Sequence, residues 1–377
     1  MDFQFSEEQQ LLGDSLSRLL QDQCGFEQRR AVAASEAGRD PRLWAQIAEL
    51  GVAALGIPEA FGGLGGGATD RLTAGQAFGR ALLLEPYMAH VLCSTAVQHA
   101  GTRAQQDSLL PQLASGELLL AWAHDETAGR HAPLWVQTQA RREGDAWRLT
   151  GQKSLVLHAA SAKHFIVTAR VSGQGAEEEG LALFLVDAGA NGATLRNFKL
   201  MDDTPAGELT LVDAPAQPLG LAEEGAKALA AIRATLAAGT AAACVDMLGS
   251  MEAAFDLTRD YVNTRKQFGK LIGEYQALRH RVAEMRVNLE LARSMAMAAA
   301  AAVDGPASRT AATDLPRAKL VIGRHGRALA HAAIQSHGGI GMTEEYAVGH
   351  CLRRIHVMDH LFGDADAQAA RLAKMLG

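Results

Sequence analysis

Arg265 to Ala277 reads R-K-Q-F-G-K-L-I-G-E-Y-Q-A, and Gln335 to Tyr346 reads Q-S-H-G-G-I-G-M-T-E-E-Y. Each follows a long alanine-rich stretch of helical period, so both are breaks between helices. Arg265 offers a planar fork of donors that matches a pyrophosphate. Phe268 offers a ring to pack on another ring system, and Gly269 lets the backbone turn. Gln335 and the close glycines Gly338, Gly339 and Gly341 leave the main chain open to a large ligand, with N–H groups available to its oxygens. Plain helix ends explain the same residues, because Arg and Lys suit a helix C-terminus and Gly terminates it. Spacing alone leaves both readings open. The glycine run is not G-x-G-x-x-G and follows a helix, which removes support for a Rossmann site.

The chain has 377 residues, room for two or three domains with their own cores. No continuous apolar run approaches the length of a membrane span. Met1–Phe5 lacks the basic and apolar regions of a signal peptide, so a cytoplasmic location is expected. A net charge of −6, spread along the chain, argues against nucleic acid or an anionic membrane as main partner. Cys24, Cys93, Cys244 and Cys351 are far apart, with no metal-ligand spacing, and read as reduced buried thiols.

Residues 1–120 read as helical. Ser6 with Gln9 forms a candidate capping box, leucines from Leu11 to Leu20 recur at helical spacing, and Gly56 to Gly65 makes a loop. Residues 121–222 lose that period. Short apolar runs alternate with Gly, Asp and Asn turns, which predicts a small antiparallel β domain, with 173–180 as a mobile surface loop. Residues 223–377 return to helix, with four candidates over 227–265, 274–303, 317–336 and from Ala365. The fold class expected is mainly α with a central β domain.

The last part is rich in histidine, with His337, His350, His356 and His360, but the spacing gives no metal set. Asp359, Asp364 and Asp366 are candidate bases for a proton beside a carbonyl. The run Gly363-Asp364-Ala365-Asp366 also suits a helix N-cap, the commoner role.

Taken in order, these motifs, with F-S-E-E-Q near the start and I-P-E-A-F-G-G-L-G from Ile57, resemble the acyl-CoA dehydrogenase flavoproteins over the full length. The resemblance implies an N-terminal helical domain, a middle β domain and a C-terminal four-helix bundle. It implies FAD, tetramers, and electron-transfer flavoprotein as acceptor. In that family a carboxylate removes the α proton of an acyl-CoA while the flavin takes the β hydrogen as hydride. Arg265, Phe268 and Gln276 match the first FAD motif, and Gln335, Gly338 and Gly339 the second; both reach the flavin of a neighbouring subunit. Arg233 matches a basic residue near the acyl-CoA.

The departures fall elsewhere. The family's T-E-P-x-x-G-S-D segment is His124-Asp125-Glu126-Thr127-Ala128-Gly129-Arg130-His131 here, and the aromatic and hydroxyl residues expected after Lys153 are Leu155 and Leu157. At the main base position stands Asp364 or Gly363, depending on the alignment, and at the second stands Ile232. Asp is a methylene shorter than Glu, a large change where geometry sets the rate. L-F-G-D-A-D looks like the partner subunits of heteromeric α2β2 family members found in steroid side-chain and dicarboxylate degradation. Three organisations follow: a subunit of a heterotetramer, a self-sufficient homotetramer using Asp364, or a non-catalytic structural subunit. A flavin oxidase of the same fold is a more distant alternative.

Overall fold

The computed structural model describes residues 6–222, 224–305 and 309–376. Met1–Phe5, on which the reading of the N-terminus rested, lie outside the described residues. In chain order the elements are α1 (Glu7–Gln23), α2 (Phe26–Ala34), α3 (Pro41–Glu49), α4 (Leu72–Ala81), α5 (Tyr87–Ala100), α6 (Arg103–Ala114), β1 (Leu120–Ala123), β2 (Gln139–Glu143), β3 (Ala146–Leu157), β4 (His164–Arg170), β5 (Leu181–Asp187), β6 (Ala193–Lys199), β7 (Pro205–Pro218), α7 (Gly225–Thr264), β8 (Lys266–Gln267), β9 (Lys270–Leu271), α8 (Gln276–Asp304), α9 (Arg309–His337), α10 (Ala347–His360) and α11 (Ala365–Leu376). Contacts group the chain into two compact units. One comprises Met1–Arg30, Ala68–Leu83 and Thr240–Gly377, the other Ala31–Gly67 and Leu84–Gly239.

The first unit is helical. The capping box at Ser6 forms as expected: Gln9 N–H donates to Ser6 Oγ at 3.2 Å, and Ser6 N–H to Gln9 Oε1 at 3.0 Å. This unit takes α7 from Thr240 onward; the whole helix is 40 residues long, about 60 Å at 1.5 Å per residue. By length and composition α7 is apolar enough to cross a membrane, yet 61% of its most apolar window is buried inside the protein. It carries Asp246, which accepts from Arg354 Nε and Nη2 at 2.9 and 2.6 Å, and Glu252, which pairs with Arg293 at 2.7 Å. A Cβ on Gly249 would run into the Gln76 backbone, so glycine there lets α4 and α7 touch main chain to main chain.

Two local readings of this unit change. The third candidate helix is expected over 317–336, but α9 starts at Arg309 and runs through Pro316. A proline inside a helix costs about 3 kcal/mol; α9 packs on α8, α10 and α11, and that burial outweighs the local cost. The second change is α10, which the four-helix reading left out. Its charged and histidine-rich composition hides an apolar row, Val348, Cys351, Ile355 and Met358, all buried.

In the second unit, α3, α5 and α6 accompany a seven-stranded sheet ordered β1-β4-β2-β3-β7-β5, with β6 on β7. A β4–β5 pairing closes it into a small barrel. Leu149, Val156, Phe165, Val167, Phe184 and Leu209 fill the interior. The sheet is not wholly antiparallel: β1 pairs with β4 in parallel, and β2 meets β4 in parallel at Gln139 and Arg170. Residues 173–180 form the surface loop expected, and it is tied to the barrel by one side chain. The fully buried Arg170 donates to the carbonyls of Val136, Gly175 and Glu177, each at 2.6 Å, and of Glu179 at 2.9 Å. Three of these four charge-assisted bonds go to the segment and tie it to Arg170.

Candidate functional site

At the end of α7 the chain turns through the hairpin β8–β9. Its two-residue loop is Phe268-Gly269, with φ of 53° and 85°, the type I′ pattern that suits the twist of a tight hairpin. Gly269 adopts this freely, whereas a phenylalanine there costs roughly 1–2 kcal/mol. The ring gains nothing inside the chain in return, being 90% exposed. Tyr275 braces the hairpin, its hydroxyl 3.4 Å from the carbonyls of Gln267 and Phe268, and Lys270 Nζ lies 4.2 Å from the Tyr275 ring centre. Arg265 and Gln276 flank the hairpin, both exposed. Among the described residues the Arg265 side chain has no ion pair or hydrogen bond.

The second motif ends α9. Gln335, Gly338 and Gly339 are exposed. Gly338 has φ 66°, and a Cβ on either glycine would meet nothing within 4 Å. An aromatic stack joins the two motifs. Tyr261, one turn before Arg265, faces His337 with ring centres 4.5 Å apart, and Tyr346 lies 5.0 Å from the same histidine. His337 Nδ1–H donates to the Ala333 carbonyl at 2.8 Å, and burial holds its pKa below the usual imidazole value. The sequence quoted His337 and Tyr346 but not this stack, because the link needs Tyr261 from a helix about 75 residues away.

Arg233, on the part of α7 in the second unit, pairs through Nη2 with Glu178 Oε1 at 2.5 Å. The middle-domain segments that depart from the family pattern are tied together by a buried network that sequence reading missed. Lys153, fully buried, donates from Nζ to Glu126 Oε1 at 2.8 Å, to the His124 carbonyl at 3.1 Å and to Thr168 Oγ1 at 3.1 Å. Glu126 also accepts from Thr138 N–H and Oγ1, at 3.0 and 2.8 Å, and from Gln137 N–H at 2.7 Å. His124 Nε2 lies 2.8 Å from the Pro133 carbonyl, which can only accept, so Nε2 carries the proton. Nδ1 is then bare and takes a hydrogen bond from Thr168 Oγ1 at 3.1 Å.

Burial pushes Lys153 down to about 8, with the Glu126 charge pulling it back. Burial alone would raise Glu126; the Lys153 charge and the hydrogen bonds from Lys153 and Thr138 hold it below the ordinary carboxylate range. At neutral pH both are ionised. Just beyond Lys153 the β3 register breaks, and Leu155 takes a left-handed φ of 55°. Ser154 N–H donates to the Asp125 carbonyl at 2.8 Å, fixing the bulge to the 124–131 segment.

The base positions carry no free carboxylate of the expected kind. Ile232 is fully buried. Phe362 and Gly363 are both left-handed, at φ 61° and 89°, with their carbonyls held by Gln368 Nε2 at 2.8 and 3.2 Å. Asp364 caps α11: its Oδ1 accepts from Ala367 N–H at 2.8 Å and Asp366 N–H at 3.1 Å. The four cysteines are buried and none of them forms a disulfide.

Three domain descriptions of one family match in order along the chain: acyl-CoA dehydrogenase N-terminal domain over 6–117, middle domain over 122–214 and C-terminal domain over 228–377. This protein belongs to the acyl-CoA dehydrogenase family. Acyl-CoA dehydrogenase FadE12 of Mycobacterium tuberculosis is 30% identical over 81% of this chain and 80% of its own length. The ChsE4–ChsE5 complex from the same organism superposes with a TM-score of 0.88 at 25% identity, covering 100% of this chain and 99% of the other. PigA, solved with FAD and proline, gives 0.88 at 25% identity, with 100% and 99% covered. Members of this family are FAD-dependent oxidoreductases acting on CH–CH bonds. The clamp residues fit such a group: an unpaired guanidinium, an exposed ring and two glycines in open space leave room and bonding capacity for a dinucleotide.

Proposed function

We propose that this chain is the clamp-donating subunit of a heteromeric acyl-CoA dehydrogenase. The observation that supports a clamp reaching another subunit best is Phe268, held at a left-handed φ with its residue 90% exposed. Arg265 and Gln335, with the main chain at Gly338 and Gly339, would hold the diphosphate and adenosine end of FAD seated on a neighbouring subunit. Phe268 and Gln276 would close over it. FAD, when bound, supplies the acceptor for the β hydrogen.

The base and the aromatic wall would come from the partner. In this chain Gly363 and Ile232 cannot take a proton, Asp364 serves as a helix cap, and leucines stand at 155 and 157. The substrate is an acyl-CoA thioester, with Arg233 reaching its anionic part, and an electron-transfer flavoprotein in the cytoplasm reoxidises the flavin.

The test is purification of the chain alone and with a co-expressed second family member, read by visible spectrum, mass and acyl-CoA turnover. Alone it should retain little flavin and turn over slowly, and the pair should recover both. Full flavin loading and turnover by the lone chain would favour the homotetramer instead.

A further inference from the structure

The second unit contains an exposed ion pair at Arg233, the residue proposed above to reach the anionic part of the substrate. Glu177, Glu178 and Glu179 form an acidic run in the 173–180 segment, and Glu178 Oε1 sits 2.5 Å from Arg233 Nη2. Both side chains are 55% exposed, so the pair is open to water and to an incoming anion. It is not a chance encounter of two floppy chains. Arg170, fully buried, grips the carbonyls on either side of Glu178, those of Glu177 and Glu179, together with that of Gly175. Gly173, Gly175 and Gly180 all have positive φ, which lets the segment fold back over that guanidinium. The backbone that carries Glu178 is thereby fixed, and its carboxylate is presented to α7.

We propose that Glu178 is an electrostatic latch on Arg233, occupying it until the phosphate-bearing part of a CoA thioester displaces the carboxylate. This rests on the reading of Arg233 as a substrate-binding residue. A phosphate has more charge and more acceptor oxygens than a carboxylate and competes well for one guanidinium. An exposed pair contributes up to about 1 kcal/mol, so removing the latch should tighten binding by no more than about fivefold. The latch sets affinity for the nucleotide end of the ligand and leaves its thioester end untouched. The neighbouring Glu177 and Glu179 add repulsion toward the same polyanion.

The experiment is titration of the purified assembly with free CoA and with pantetheine, which lacks the nucleotide phosphates, in four proteins: wild type, Glu178→Gln, Arg233→Gln and the double variant. The latch predicts about three- to fivefold tighter CoA binding in Glu178→Gln, unchanged pantetheine binding, weaker CoA binding in Arg233→Gln, and no gain from Glu178→Gln once Arg233 is gone. If Arg233→Gln weakens CoA binding but Glu178→Gln leaves it unchanged, the latch is wrong and the substrate role of Arg233 stands. If neither variant alters CoA binding, both fall. A gain that persists in the double variant would mean general repulsion by the acidic segment and would also overturn the latch.

Discussion

The hairpin at Phe268 and the buried cluster at Lys153 handle polar and strained groups in opposite ways. Around Lys153 the bonding capacity is spent inside the chain: the ammonium has three acceptors, Glu126 has donors on both oxygens, and both His124 nitrogens are engaged. Around Phe268 capacity is left over: a guanidinium without a partner, a ring in water and glycines with nothing above them. A folded chain minimises unspent capacity unless something outside completes it. The first region therefore reads as architecture and the second as half of an interface.

The largest effect should come from breaking the closed region. Lys153→Met leaves Glu126 buried without its counter-charge and should cost about 3–5 kcal/mol in denaturant unfolding. The double variant Lys153→Met/Glu126→Gln should recover most of that, because removing both charges of a buried pair is near neutral. The pH dependence carries the same information. The folded Lys153 value, about 8, lies below the ordinary lysine value of 10.5. Between those values the unfolded chain binds the extra proton, so stability should rise with pH across that window. The double variant should flatten this rise. A double variant as unstable as the single one would mean that shape rather than charge decides the site.

Breaking the open region should leave folding alone and strike the flavin. Arg265→Ala, on an exposed and unpaired side chain, should change unfolding free energy by less than about 0.5 kcal/mol. It should weaken FAD retention by the assembly about tenfold or more, since a charged hydrogen-bond partner is worth about 1.5–3 kcal/mol. Phe268→Asn sharpens the contrast. Asn-Gly is the preferred type I′ pair, so the free chain should gain about 1 kcal/mol while the assembly loses flavin. Loss of stability in Phe268→Asn would mean that the ring serves its own chain.

The same contrast explains what the sequence disclosed. The proposed clamp is legible because its parts are contiguous: R-K-Q-F-G and Q-S-H-G-G carry their chemistry within a few residues. The helix-β-helix layout was readable from periodicity. The Lys153 cluster was not, because it joins residues 124, 126, 138, 153 and 168 from separate strands and loops. Arg170 was missed for the same reason. The start of α9, eight residues before the expected Arg317, is set by packing on α8, α10 and α11 that the local sequence does not display. Asp364 was ambiguous between base and cap, and the cap forms.

Asp364 offers a smaller and cleaner discrimination. Asn caps a helix about as well as Asp, whereas Ala costs about 1 kcal/mol. Asp364→Asn should therefore keep the cap and, in the heteromeric reading, keep turnover, while Asp364→Ala should lose the cap. Turnover abolished in Asp364→Asn with flavin absorbance intact would make Asp364 the base and the chain self-sufficient.

Gly339 should give the smallest change in folding of all. Its φ is not in the left-handed region, and an added methyl would meet nothing within 4 Å of its own chain. Gly339→Ala should then leave unfolding within about 0.5 kcal/mol of wild type, or improve it slightly by restricting the unfolded chain. Among the described residues nothing stands in the way of such a methyl, so a clash would come from a bound ligand or another subunit. Weaker flavin retention by the assembly, with unchanged stability of the free subunit, would locate the ligand against this stretch of main chain. Unchanged retention would mean that the dinucleotide passes elsewhere and that the open space above Gly339 is only solvent.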